Sequence, residues 1–391
     1  MNSINLCDNN SCTQCHACEL MCPKHCISFK EGKDGFSIPV IDRSTCVECG
    51  LCVQSCHQLD SERPKTKPVR TYAAWSHDDS VRTTSSSGGV FTEIARYVFT
   101  KSGVVFGAVM DDDLKVHHSM AENMDKLIPM RGSKYVQSDL TGTYKAVKDQ
   151  LKTGRMVLFS GTPCQVGGLY AFLKKKYDNL LTCDLVCHGV PSQKSFNTYC
   201  NRVGLTDSKV AEVSFRYTKG WGLQMAYRSH SVSPSKDGDY KWHNISPRKS
   251  YYLRAFTSGL MFNEACYACQ YANPERISDF TLADFWGLGA QTPFTHSSQM
   301  GVSLLLVNTD KAQQVIDCCP QLFLEERSLE EAVKGNHNLS KCSGRPALRD
   351  TYVADAEKMS LKDLFKKYKL QPSWKDYFRP IKRKFTMGWN F

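Results

Sequence analysis

The stretch that decides the reading is Cys12-Thr-Gln-Cys15-His-Ala-Cys18-Glu-Leu-Met-Cys22, answered by Cys46-Val-Glu-Cys49-Gly-Leu-Cys52-Val-Gln-Ser-Cys56. Both halves read C-x2-C-x2-C-x3-C, the spacing that holds a pair of [4Fe–4S] clusters. Pro23 follows the first run as the pattern expects, and His57 takes that place after the second. Zinc needs four ligands per site but gives no reason to repeat this step pattern. A disulfide scaffold is the other alternative, and 19 cysteines in 391 residues fall below the density of such scaffolds. In a two-cluster module the last cysteine of each run crosses to the other cluster. Cys12, Cys15, Cys18 and Cys56 are therefore one expected ligand set, and Cys46, Cys49, Cys52 and Cys22 the other. Cys7 and Cys26 fall outside the repeat and read as spare thiols.

Working outward, residues 1–60 make a bacterial ferredoxin-like domain. Residues 61–71 (SERPKTKPVRT) are polar and twice interrupted by proline, as a linker is. Residues 72–345 turn globular, and 346–391 read as a basic helical tail. The chain is long enough for two or three domains with a sizeable core. No basic segment followed by an apolar run opens it, and its longest apolar runs are too short to span a bilayer. Free thiols and iron clusters suit a reducing compartment, so the expected location is cytoplasmic. The formal charge of +11 overstates the balance, because each oxidised cluster with four thiolates adds roughly −2. Nine Lys or Arg against two acids between Lys362 and Lys384 hold much of the excess. A local patch of this kind is not the spread basic face of a nucleic-acid binder. It suits an acidic redox partner or an anionic surface, beside the plainer reading of a solvated tail.

Past the linker, apolar runs of strand length (156–160, 180–186, 302–307) are each followed by a helical pattern (163–176, 193–203, 310–318), and a helix over 88–99 precedes a strand at 104–110. This alternation predicts an α/β domain with a largely parallel sheet. Residues 210–217, 223–228 and 240–245 suggest an inserted meander. In Thr162-Pro163-Cys164 a strand gives way to a capped helix, and a thiol in a first helical turn has its pKa lowered by the dipole. Cys187 ends the next strand, and loops at the carboxyl ends of parallel strands share a crevice. With Cys266-x2-Cys269 these cysteines make a third [4Fe–4S] site conceivable, against buried thiols or zinc. Cys183, four residues before Cys187 and on the same strand face, competes with it. Cys200, Cys318, Cys319 and Cys342 read as ordinary thiols, and His117 and His118 point to opposite faces of a strand. Ser85-Ser86-Ser87-Gly88-Gly89 before a helix is either a phosphate cradle or a plain cap. No complete dinucleotide fingerprint is present: Gly287-Leu-Gly289 lacks the third glycine.

The segments SSSGGVF (85–91), RGSKYVQS (131–138), FSGTPCQV (159–166), CHG (187–189), CYAC (266–269) and DFTLADFWG (279–287) resemble the coenzyme F420 hydrogenase/dehydrogenase beta-subunit family over residues 72–307. That resemblance implies a flavin-binding α/β domain with a [4Fe–4S] cluster close to FAD. It makes Cys164, Cys187, Cys266 and Cys269 the inner ligands. It makes Ser87, Gly88, Gly89, Lys134, Tyr135, Gln137, Ser138 and Thr162 the flavin-site candidates. The implied activity is an iron–sulfur flavoprotein oxidoreductase. Electrons would pass from a ferredoxin-type partner through the clusters to FAD and on to a small-molecule substrate, with polysaccharide biosynthesis the nearest setting. The alternatives are an electron-transfer subunit without its own substrate and a deazaflavin (F420) reductase or dehydrogenase subunit. His188 is the candidate proton donor, against a role as a hydrogen-bonding neighbour of the cluster.

Overall fold

A computed structural model describes residues 5–60, 65–206, 210–217, 223–229 and 242–372. In the N-terminal module two one-turn helices, Ala17–Leu20 and Leu51–Gln54, carry the middle of each cysteine run. Between the runs lies an antiparallel hairpin of β1 (Ile27–Glu31) and β2 (Ser37–Ile41). Its buried centre is Cys18, Cys22, Cys26, Cys52 and Ile27, thiols where a domain this small would otherwise need aliphatic side chains.

The larger body is built on eight strands. These are β3 (Arg70–Ser76), β4 (Val104–Met110), β5 (Val116–Ala121), β6 (Val157–Ser160), β7 (Leu180–Leu185), β11 (Phe280–Asp284), β12 (Ser303–Val307) and β13 (Leu322–Glu326). Their order is β13-β3-β12-β11-β7-β6-β4-β5. Only β11/β7, β7/β6 and β6/β4 pair in parallel. The remaining pairings are antiparallel, so the sheet is mixed and the largely parallel expectation is corrected. The reason is connectivity. A parallel neighbour needs a crossover, normally helical; residues 285–302 hold no helix, and β12 turns back beside β11.

Both faces of the sheet are covered. Along β4, Val104 and Phe106 face the helices Thr143–Lys152 and Pro163–Leu173, while Val105 faces Val90–Thr100. In β6, Val157 and Phe159 share the first core and Leu158 the second. This two-sided burial explains why these strands read as unbroken apolar runs. Strands β8 (Val210–Ser214), β9 (Ala226–Ser229) and β10 (Trp242–Asn244) form the expected small antiparallel sheet, in the order β10-β9-β8.

Two boundaries differ from the sequence reading. The 61–71 segment is pinned where described: Thr66 and Arg276 exchange backbone hydrogen bonds of 2.8 Å, and β3 starts at Arg70. The helices Arg349–Lys358 and Leu361–Tyr368, in the segment read as a helical tail, pack on the larger body, with Tyr352, Val353, Leu364, Tyr368 and Leu370 buried in the core. The tail beyond residue 372 lies outside the described residues. No helix among the described residues is long and apolar enough to cross a membrane.

Candidate functional site

Strands β6, β7 and β11 end at a common edge, and the segments leaving them line one cavity of about 640 Å³. This is the crevice that open parallel strands create at their carboxyl ends, and its size is that of a ligand pocket. Cys164, Cys187, Cys266 and Cys269 all line it. Cys164 arrives on the first turn of Pro163–Leu173, which Pro163 starts and Thr162 caps; the Thr162 N–H donates to Gln165 Oε1 at 2.9 Å. Cys187 follows β7, and Cys266 and Cys269 come from a 3-10 turn, Glu264–Ala268, and the residue after it.

The expected lowering of the Cys164 pKa is not what the environment gives. Burial pushes the Cys164 thiol up, and the neighbouring Cys269 and Cys187 push it further. Burial likewise raises Cys266, with Cys187 and Cys164 adding to it. Cys187 is pushed up to about 12, burial first and Cys269 next. The dipole at one helix end is outweighed by the loss of water around four converging thiols. As thiolates they require a cationic partner, which an iron–sulfur core supplies. Among the described residues no three His, Cys, Asp or Glu side chains are drawn together tightly enough for one metal ion.

Cys183 is not part of this group. It is fully buried within β7 and packs in the core against the helix Val90–Thr100. Cys342, read as an ordinary thiol, does line the cavity, its Sγ 2.9 Å from Tyr267 O.

The N-terminal module closes the cavity. Thr13 and Gln58 are on its wall, Gln137 Nε2 donates to Thr13 O at 3.0 Å, and Asn263 Nδ2 donates to Cys12 O at 3.1 Å. His57 is buried between Thr13 Oγ1 (2.8 Å) and Tyr271 Oη (2.7 Å), bridging the module to the segment after Cys269. Gly168 sets the closest approach, since a Cβ there would lie 2.7 Å from Cys15 Cβ. Within the module Cys18 is influenced by Cys15, Cys12 and Cys56, and Cys52 by Cys49 and Cys22. In each case the neighbours come from both cysteine runs.

Ser85, Ser86, Ser87 and Gly89 line the cavity too, as do Lys134, Tyr135, Gln137, Ser138 and Thr162, whose Oγ1 is 3.1 Å from Cys164 Sγ. Gly88 is an exception. It turns away and packs on β3, where a Cβ would meet Ala74 O at 2.3 Å, and its N–H donates to Ser303 Oγ. Lys134 Nζ donates to the carbonyls of Pro129 (2.6 Å) and Arg131 (2.9 Å), while burial pushes its pKa down to about 7. Sequence reasoning missed Arg131, Arg216, Asp284 and His118. Arg216 pairs with Asp284 at 2.8 Å, both side chains under 10% exposed (6% and 7%), and also reaches Tyr135 Oη and Ser86 O. His118 is buried and neutral, pushed down to about 4 by desolvation, with Nδ1 2.7 Å from Ser138 Oγ and Nε2 2.9 Å from Ser160 O. His188 lines the cavity with both ring nitrogens engaged, at Asn338 Oδ1 (3.0 Å) and Thr257 O (3.3 Å).

Buried polar atoms in folded proteins nearly always have partners. Ser87 Oγ, Thr92 Oγ1, Arg131 Nε, Gln137 Oε1 and Arg216 Nε are buried without one, and all five residues line the cavity. Leu185, Leu223 and Trp286, about 40% exposed (40%, 38% and 43%), also line it. The cavity thus has a cysteine wall, a cationic and hydroxylated wall, and exposed apolar side chains.

Comparison with known proteins agrees with this division. Residues 11–58 match a 4Fe-4S dicluster domain. Residues 71–144 and 154–331 match the N-terminal and C-terminal models of the coenzyme F420 hydrogenase/dehydrogenase beta subunit. An uncharacterised protein of Methanocaldococcus jannaschii is 26% identical over 207 residues, covering 44% of this chain and 56% of the relative, so the match spans little more than half of that relative's length. A solved structure of the F420-reducing [NiFe] hydrogenase complex from Methanosarcina barkeri contains a chain with 15% identity and a TM-score of 0.45, over 70% of this chain and 91% of that one. Two successive models of one family, behind a dicluster domain, account for most of the sequence. The chain belongs to the coenzyme F420 hydrogenase/dehydrogenase beta-subunit family and carries a 4Fe-4S dicluster domain in front of it.

Proposed function

We propose that the chain relays electrons between a protein redox partner and a deazaflavin-type small molecule, through two clusters of the N-terminal module, an inner [4Fe–4S] cluster at Cys164, Cys187, Cys266 and Cys269, and FAD. The observation that carries this is the single cavity that joins the four cysteines and Thr13 of the dicluster module to unpartnered polar atoms, the donors Arg131 Nε and Arg216 Nε among them. Cys49 and Val47 are exposed, so the second cluster is the natural point of uptake from a ferredoxin-like partner. Cys15 lies against Gly168, one turn along the helix from Cys164, so the first cluster adjoins the inner one.

A bound flavin supplies the exchange between one-electron and hydride steps. The residues here fit such a group. Arg131 and Arg216 offer unpartnered Nε–H groups to its phosphates, and Ser87 and Gln137 offer further hydrogen bonds. Gly89, Tyr135, Ser138 and Thr162 complete the wall. Lys134, tied to its own loop, shapes that wall rather than reaching into it. The apolar surfaces of Leu185 and Trp286 suit a flat ring system. His188 is assigned a positioning role, because its ring sits between Asn338 Oδ1 and Thr257 O and its N–H has an acceptor on either side. The polysaccharide setting rests on resemblance alone and is not carried further.

The test is an anaerobic titration of the dithionite-reduced, purified chain with oxidised coenzyme F420. About one FAD per chain and stoichiometric deazaflavin reduction are expected. FAD with turnover of another small acceptor, and no deazaflavin reduction, would favour an enzyme with its own substrate. Transfer only in the presence of a second protein would favour a subunit without one. Absence of flavin would contradict the cavity assignment.

A further inference from the structure

A [4Fe–4S] cluster takes four thiolates, yet five cysteines line the small cavity of the second set: Cys22, Cys26, Cys46, Cys49 and Cys52. The fifth, Cys26, lies outside the repeat and is buried. Its Sγ is 3.3 Å from Cys22 Sγ, and its backbone N–H donates to the same sulfur at 3.4 Å. The backbone fixes this arrangement. The His25 N–H donates to Cys22 O at 3.2 Å, and Cys26 O accepts from the Asp42 N–H at 2.7 Å at the head of the hairpin. Cys7, the other cysteine outside the repeat, is buried as well.

We propose that Cys26 is a substitute ligand of the second cluster, taking its iron when the Cys22 thiolate leaves it. The inference rests on the cluster assignment above. The exchange is a ligand substitution without electron transfer. The Cys26 S–H bond breaks and its proton passes to water. A Cys26 Sγ–Fe bond forms as the Cys22 Sγ–Fe bond breaks, and Cys22 takes up a proton. The two sulfurs are already 3.3 Å apart.

The test uses the full chain, reconstituted anaerobically with iron and sulfide. Iron, acid-labile sulfide and the EPR spectrum of the reduced protein are the readouts. Cys22→Ala should keep the wild-type iron content with an altered spectrum. Cys22→Ala/Cys26→Ala should lose about four irons, one cluster's worth, and Cys26→Ala alone should lose none. Loss of about four irons from Cys22→Ala alone would overturn the proposal. So would loss from Cys26→Ala alone, which would make Cys26 a resident ligand. If Cys22→Ala is not recovered, Cys22→Ser serves: iron retention that depends on Cys26 is expected, and retention in Cys22→Ser/Cys26→Ala contradicts it. A wild-type chain without iron would instead overturn the cluster assignment itself.

Discussion

At Gly168 a missing side chain sets how closely the dicluster module approaches the inner cysteines. A Cβ there would also lie 2.7 Å from Tyr144 Oη, so Gly168→Val has nowhere to go but into Cys15. We expect overpacking to cost about 1–3 kcal/mol and electron flow from the module to the cavity to slow, with iron content unchanged. Unchanged flow in stopped-flow reduction would show that Cys15 is not on the route. His118 gives a pH-dependent prediction. Its pKa falls from about 6.5 in an unfolded chain to about 4 in the fold, because burial excludes the charged form. Between those values the unfolded state binds the proton and the folded state does not. Stability is therefore full above pH 6.5 and lost as pH falls toward 4, by about 3 kcal/mol for this one group. Urea midpoints at pH 7.5 and 5 should fall further in wild type than in His118→Gln; equal falls would remove His118 as the cause. At this scale the sequence was uneven. Cysteine spacing is covalent information and carries over directly. Cys183 and Cys187 share a strand face, and only the end of β7 at Leu185 tells core from cavity. Arg131 and Asp284 lie in segments that carry the resemblance and Arg216 in none of them, but their convergence on one cavity exists only after folding.

Elements extend this picture from side chains to the sheet. Where β7 and β11 run in parallel, Asp184 and Arg276 form an ion pair of 2.9 Å with side chains 0% and 2% exposed. Thr281 Oγ1 donates to Asp184 Oδ1 at 2.6 Å, and Arg276 Nη1 donates to Tyr271 O at 2.9 Å. The pair thus fastens the segment after Cys269 to the strands before Cys187. Asp184→Asn leaves a buried guanidinium short of its partner, and losses of about 3–5 kcal/mol are usual for such sites. Chemical denaturation should register that loss, together with reduced inner-cluster iron. A variant as stable as wild type would show the pair to be dispensable. Individual strands and helices were legible because their apolar runs and caps are local. Strand direction was not. Whether β12 lies parallel or antiparallel to β11 depends on a long connection whose path no periodicity encodes.

Across the whole molecule, the cavity belongs to neither the dicluster module nor the sheet alone, since residues 13 and 58 share its wall with residues from 85 to 343. The order of parts was readable from composition and spacing, whereas the docking was not. The linker residues that bond to Arg276 and the terminal helices that fill the core looked merely polar or basic. Deletion after Tyr368, which suggests itself as a test of a basic tail, would also remove buried Leu370, so shortening should stop after residue 372. The central claim is that four cysteines brought together from three segments hold an inner cluster separate from the dicluster. The most direct measurement is iron and acid-labile sulfide per chain, with EPR, in anaerobic wild type and in Cys164→Ala/Cys269→Ala. The account predicts about twelve irons falling to about eight, with the dicluster signals retained. An unchanged iron content in the double variant, or about eight irons in wild type, would contradict it.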